Sequence, residues 1–362
     1  RYILINDRLQ KVPENPFQAL SSPITNGVIT AIVKDICHLS SCKNTDITIA
    51  EYAQKKFGKN ITNYAIDPIM SGVYAGDIEK LSLKASLPFL ADLETQSGSI
   101  FWGMFQKKRE IFTKEFFEKN ITTAPLFSFR KGMSQFMQAL AHFLSENILN
   151  PIHITSIINK KSTYDIITAD NIFSADMIVS TIPAFCLADL IHDNIELSNI
   201  LKKIFYAPIA VISLVYEGNI NPLQGFGYLV PHSENQKILG VLWNEQIFPE
   251  LTQPYTTVFT VMIGGARFQD FSRYDENAFT QIAKDSLEKY LNITESPMIQ
   301  ICRIIPRAIP QYEIGHIDLV DQIQRLSPTN FFIRGNFIGG IGIADSVKEA
   351  RSFATHLGIG ML

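Results

Sequence analysis

The chain has no phosphate-cradling loop: none of its 20 glycines falls in a GxGxxG string, the short signature for seating a pyrophosphate on a helix start. Cysteine is scarce. The four present (Cys37, Cys42, Cys186 and Cys302) form no CxxC pair, which excludes a disulfide framework or a dithiol motif and predicts reduced, mostly buried thiols in a cytosolic protein. The seven histidines are scattered without an HxxxH, so no metal site is expected. Excess positive charge is also lacking. The net charge of −3 leaves no electrostatic footprint for nucleic acid. Apolar runs such as Ala207 to Tyr216 are too short to span a bilayer and too β-branched for a signal sequence. Repeats, low-complexity tracts and charge runs are absent as well.

What remains is an ordinary globular balance, 46% hydrophobic and 19% charged over 362 residues, enough for two or three structural units. The chain enters directly into a strand, a turn at Asn6-Asp7 and a second strand, with Arg1 in place of a methionine. This looks like the middle of a domain and predicts that an N-terminal portion precedes Arg1. Residues from about 24 to 120 follow helical periodicity: a stripe of Ile29, Ile32, Val33, Ile36 and Leu39, and a run from Thr48 to Phe57 ended by Gly58. A stretch from Ile61 is expected to break at Pro68 and Gly72, and Ser99 to Phe117 predicts a further helix. A strand at Leu126 to Phe129 and a turn at Lys131-Gly132 lead into a helix through Phe136, Leu140 and Leu144. Strands are predicted at Ile152 to Ile158, Tyr164 to Thr168, Met177 to Thr181, Ile209 to Tyr216, Gly227 to Val230, Ile238 to Trp243 and Thr257 to Ile263. A helix through Ile282, Leu287 and Tyr290 follows them.

The closing stretch is the most informative. An apolar run from Asn330 to Ile333 predicts a buried strand, Gly335, Gly339, Gly340 and Gly342 follow, and Ile343, Val347, Ala350, Ala354 and Leu357 then recur at helical spacing before Gly358. Strand, glycine turn and helix together aim free N–H groups at an anionic or electron-rich group. The same pattern also serves simply to pack a helix on a sheet.

Six segments in order resemble the porphyrinogen oxidase branch of the flavin amine oxidase superfamily. They are Ser71-Gly72-Val73-Tyr74-Ala75-Gly76-Asp77 with Leu81-Ser82, Phe127 to Met133 (Lys131 replacing a family glycine), and Ile178 to Ala184. Gly225 to Pro231, Ile309-Pro310-Gln311-Tyr312-Glu313-Ile314-Gly315-His316 and Gly335 to Ser346 complete the set. The resemblance implies a mixed α/β fold. Residues 126–205 and 301–362 would form the remaining half of a Rossmann-like FAD-binding domain whose N-terminal part is missing. Residues 1–23 with 206–300 would form an antiparallel-sheet substrate domain, and 24–125 a helical subdomain facing substrate or membrane.

It also implies FAD as cofactor, bound through Ile341, Gly342 and Ile343 beneath the flavin ring and by the backbone of Ile152 at the adenine. Ile305 falls where the family often carries a tryptophan near the flavin, a departure that weakens ring stacking there. For substrate, the resemblance assigns Arg1 to a propionate, the backbone of Gly72 to the pocket, and Leu229, Leu242 and Met262 to its wall. Each has a plainer alternative, an edge-strand arginine or ordinary core. The implied activity is oxidation of protoporphyrinogen IX or coproporphyrinogen III in haem biosynthesis, with oxygen as acceptor, hydrogen peroxide as product and handover to a chelatase. No catalytic acid or base is nominated, and His316 reads as structural. Ile100 to Phe105 beside Lys107-Lys108-Arg109 suits an interfacial helix at the inner membrane of an otherwise cytoplasmic protein, and equally a buried helix with a solvated end. Two other classes stay open: an amine oxidase or desaturase relative, and a non-catalytic flavin-fold protein.

Overall fold

A computed structural model of the chain describes residues 1–36, 46–97, 99, 100, 102, 103 and 128–358. Cys37, Cys42, Leu39, Leu126, Phe127, Phe101, Met104, Phe105 and the basic cluster at 107–109 lie outside the described residues, as does most of the expected helix to Phe117. The fold is mixed α/β. It divides into two compact units, Arg1–Glu146 with Ala207–Ala308, and Asn147–Tyr206 with Ile309–Leu362.

Along the chain the strands are β1 (Tyr2–Ile5), β2 (Arg8–Lys11), β3 (Ile154–Asn159), β4 (Tyr164–Thr168), β5 (Ile172–Ala175) and β6 (Ile178–Ser180). They continue with β7 (Tyr206–Glu217), β8 (Gly227–Leu229), β9 (Ile238–Trp243), β10 (Thr256–Gly264), β11 (Ile299–Pro310) and β12 (Phe331–Ile333). The helices that matter below are α1 (Ile49–Ile61), α2 (Asp67–Tyr74), α3 (Glu276–Leu291), α4 (His316–Leu326) and α5 (Ile343–His356).

The first unit is built on a seven-stranded sheet in the order β11-β7-β10-β9-β8-β1-β2. Asn6 and Asp7 both take positive φ (50° and 58°), which matches the twist of a two-residue hairpin and closes β1 on β2 in register. Alternation separates the two faces of the sheet. Ile212, Leu214 and Tyr216 of β7, Phe259, Val261 and Ile263 of β10, and Val241 and Trp243 of β9 form a dry face against Phe279, Ala283 and Leu287 of α3. The opposite face is half-buried. It carries α2.

The helical segment departs from its sequence pattern at two glycines. Thr48 and Glu51 exchange side-chain and backbone hydrogen bonds to start α1, but Gly58 (φ 81°) only kinks it. The chain runs on through a π-helical turn (Thr62–Ile66) into α2, where Pro68 sits in the first turn and needs no hydrogen-bond donor. Gly72, expected to break the helix, lies inside it; the break comes at left-handed Ala75 (φ 48°). Lys56 of α1 and Asp35 pair at 2.8 Å with both side chains 0% exposed, and Ser99 donates to the same carboxylate at 2.7 Å.

In the second unit β6 and β12 pair in parallel, Ile178 opposite Phe331, while β3, β4 and β5 form an antiparallel sheet. Ile157, Tyr164, Leu187, Leu201, Ile323 of α4 and Phe331 share its core. α5 starts where the glycine turn predicted, and Gly358 closes it at φ 71°. Its apolar stripe is not buried: Ile343 is 51% and Val347 43% exposed, and no residue of α5 is buried.

Candidate functional site

In the second unit β6 and β12 end side by side, and their carboxyl ends open into a cleft of about 430 Å³. Ligands of parallel α/β sheets favour this end of the strands. Thr181, Pro183, Arg334, Gly335, Asn336, Gly339 and Gly340 line it, together with Asp345, Ser346, Glu349, Ala350 and Phe353 of α5. No side chain caps α5 at Gly342. The Gly342 N–H donates to the Asp345 carboxylate at 3.2 Å. A Cβ at Gly340, which holds φ 122°, would sit 2.7 Å from Asp345, and one at Gly342 would sit 2.9 Å from its Oδ2. The two glycines thus leave room for Asp345 to fold against the turn, and the Gly340 N–H donates to the Tyr312 hydroxyl at 3.0 Å. Asp345 partly neutralises the positive helix end, which the sequence pattern did not anticipate.

Ile341 is half-buried and Ile343 exposed at the start of α5; the three expected residues adjoin the cleft in sequence, but none of them lines it. Ile152, also in the second unit, is exposed just before β3. Ile305 lies in the first unit, exposed on edge strand β11. Arg334 was not singled out from sequence. Its guanidinium lies over the Phe353 ring (4.5 Å) and 3.4 Å from Glu349.

In the first unit the open face of the sheet gathers the apolar candidates. Leu229 is opposite Gly240, and Gly240 is opposite Met262; two residues along, Gly227 is opposite Leu242, and Leu242 is opposite Thr260. Paired residues point to the same side, so Leu229, Leu242 and Met262 share one surface with Thr260 and, from β7, Ser213. α2 rests on this surface at Gly72, where an added Cβ would meet Leu229 Cδ2 at 2.9 Å. Gly240 makes room beneath, since its own Cβ would come 3.0 Å from the same atom. Leu229 is thus lodged between two glycines. Arg1 precedes β1 and is exposed, with its guanidinium over the Phe226 ring at 5.1 Å. The side chains of Leu229, Leu242, Met262, Thr260 and Ser213 carry nothing that titrates near neutral pH.

His316 is buried, stacked on Tyr312 (4.2 Å between centroids), with Nε2 2.9 Å from the Phe337 carbonyl. Burial pushes its pKa below the ordinary histidine value, and the Phe337 contact partly offsets this. It is a structural histidine.

The sequence profile described as flavin containing amine oxidoreductase matches residues 29–302, most of the chain. The chain belongs to that family. As a member of the flavin-containing amine oxidoreductases it is an oxidoreductase, and its cofactor is FAD. Among curated relatives, protoporphyrinogen oxidase of Dictyostelium discoideum is 27% identical over 422 residues, covering 99% of this chain and 79% of the relative. Chloroplastic protoporphyrinogen oxidase 1 of Arabidopsis thaliana is also 27% identical, covering 99% and 72%. The human protoporphyrinogen oxidase is 26% identical, covering 87% and 69%. A crystal structure from Exiguobacterium sp., provisionally assigned as a protoporphyrinogen oxidase, has a TM-score of 0.77 at 20% identity and covers 98% of this chain and 79% of that one. Reduced UDP-galactopyranose mutase has a TM-score of 0.69 at 14% identity, with coverage of 100% and 78%. These two likenesses concern the fold.

The glycine turn and the start of α5, where Gly342 offers no side-chain cap, would accommodate one edge of a flavin. Ile341, Gly342 and Ile343 would hold it through their backbone.

Proposed function

We propose that the chain acts as an FAD-dependent protoporphyrinogen oxidase of haem biosynthesis, with oxygen as electron acceptor. The observation that carries this reading is the sheet face shared by Leu229, Leu242 and Met262 beside Gly72: mainly apolar and without acid–base groups, which suits an apolar macrocycle. Relatives named for protoporphyrinogen support that substrate over coproporphyrinogen III. When bound, FAD supplies two-electron oxidation, and three rounds remove six electrons and six protons while reducing three oxygen molecules to hydrogen peroxide. The chain's residues bind and orient. The aliphatic wall takes the ring, Arg1 offers a guanidinium to a propionate, and pyrrole protons leave to solvent. Ile152 would meet the adenine through its backbone and Ile305 would lie near the flavin.

The FAD-loaded enzyme should generate porphyrin fluorescence from protoporphyrinogen IX well above autoxidation, consuming three oxygen molecules per porphyrin. A rate equal to autoxidation would remove the assignment, and a clear preference for coproporphyrinogen III would change the substrate.

Peripheral membrane contact and handover to a chelatase belong to the same reading. No helix among the described residues is long and apolar enough to cross a membrane. Phe17 (85% exposed), Leu20 and Trp102 offer apolar side chains for an interface. Co-sedimentation with anionic liposomes at low salt is the expected result; protein left wholly in the supernatant would remove the membrane contact.

A further inference from the structure

One side chain ties both ends of α2 over the open sheet face. The Arg267 guanidinium meets Asp67, in the first turn of α2, at 2.6 Å, and Asp77, beyond its end, at 2.7 Å. Its Nε also donates to Asp77 at 2.9 Å. An eight-residue helix is about 12 Å long, so reaching both ends from one guanidinium requires the chain to fold back. Left-handed Ala75 makes that reversal, and its carbonyl accepts the Ala266 N–H at 2.8 Å. Gly265 permits the approach, because a Cβ there would lie 2.8 Å from the Ala75 oxygen. Asp67 also accepts the His232 N–H at 2.8 Å. The strands leading into these two loops carry the wall: β10 with Met262 runs into Arg267, and β8 with Leu229 runs into His232.

We propose that Arg267 is a positioning residue that fixes α2 against the sheet and so sets, through Gly72 and Leu229, the shape of the wall that receives the macrocycle. The inference rests on the substrate reading above and names a residue outside the wall itself. Arg267 is only 18% exposed at its side chain, and burial pulls its pKa down while the two carboxylates more than compensate. It therefore stays charged, and its planar fork serves two carboxylates at once. A lysine ammonium is a compact point charge without that rigid fork.

The test uses the FAD-loaded enzyme with Arg267→Lys, Asp77→Asn and Arg267→Met. Flavin absorbance reports loading, amide hydrogen exchange over 67–77 reports how α2 is held, and steady-state kinetics with protoporphyrinogen IX report the wall. In Arg267→Lys we expect faster exchange over 67–77, KM raised about tenfold, kcat within twofold and full flavin content. Asp77→Asn, which weakens one arm, should shift both readouts the same way by less. Arg267→Met leaves one buried and one partly buried carboxylate without their guanidinium and should be the most affected; if it fails to fold, the lysine and asparagine variants decide. Unchanged exchange in both would overturn the clamp. Faster exchange with unchanged KM, or a fall confined to kcat, would overturn its reach into the site. If the wild type does not oxidise protoporphyrinogen at all, the substrate reading fails, and the exchange data still decide whether Arg267 holds α2.

Discussion

The α2 backbone at Gly72 lies directly on the Leu229 side chain, so close that a methyl group at Gly72 would come within 2.9 Å of Leu229 Cδ2. Two opposing effects follow from Gly72→Ala. Alanine in a helix interior gains up to about 1 kcal/mol over glycine. The added Cβ must displace the end of Leu229, which can shift into the space that Gly240 leaves by carrying no Cβ. We expect these to leave the melting temperature nearly unchanged while KM for protoporphyrinogen rises several-fold. Gly72→Val should raise it further. A normal KM in both variants would show that this contact is packing alone.

That contact also shows where sequence reading stopped. Gly72 looked like a helix stop because glycine is a poor helix former, yet it sits mid-helix because Leu229, 157 positions on, needs the space (229 − 72). The Arg267 clamp joins residues 200 and 190 positions apart, which no local pattern records. β4 and β9 were legible to the residue, being apolar runs bounded by turn residues. β11 was not: Arg303, Pro306 and Arg307 interrupt it, a pattern tolerated because β11 is an edge strand. α4 was missed because Gly315, at φ 83°, precedes it in place of a side-chain cap. The short strand β5 also went unread. In the candidate site the glycine turn was visible from spacing, but Asp345 folding back on Gly342 was not.

The glycine turn before α5 gives a second prediction. Gly342→Val drives its side chain into Asp345 at the start of α5, and Gly340→Ala adds strain at a left-handed φ. Both variants should purify with flavin absorbance reduced at least several-fold, while circular dichroism of the β-rich first unit stays intact. Normal flavin content in both would make the turn purely structural.

His316 predicts a pH dependence. Burial, offset in part by the Phe337 carbonyl, holds its folded pKa below 6.5. Between the folded pKa and 6.5 the unfolded chain binds the proton more readily, so stability must fall as pH drops through this window and level off below the folded pKa. Above 6.5 the contribution is fully present. His316→Gln keeps an N–H for the Phe337 carbonyl and removes the titration. Denaturation midpoints of wild type and variant should therefore converge as pH falls from 7.5 to 5. Parallel profiles would disconnect His316 protonation from stability.

Arg1 gives the last. Its guanidinium rests over Phe226, an exposed cation–π contact worth about 0.5–1 kcal/mol, which orients the side chain without engaging a carboxylate. If a substrate propionate takes that place, Arg1→Ala should raise KM and lower kcat/KM roughly ten- to a hundredfold, on the order of 1–3 kcal/mol, with flavin content and fold unchanged. Arg1→Lys should recover part of the loss, since an ammonium keeps the charge but not the paired donors. Phe226→Leu separates orientation from charge: it removes the aromatic rest, leaves the guanidinium free to pair, and should cost only a few-fold in KM. Kinetics equal to wild type for Arg1→Ala would take Arg1 out of the site, leaving substrate recognition to Gly72 and the aliphatic surface of Leu229, Leu242 and Met262.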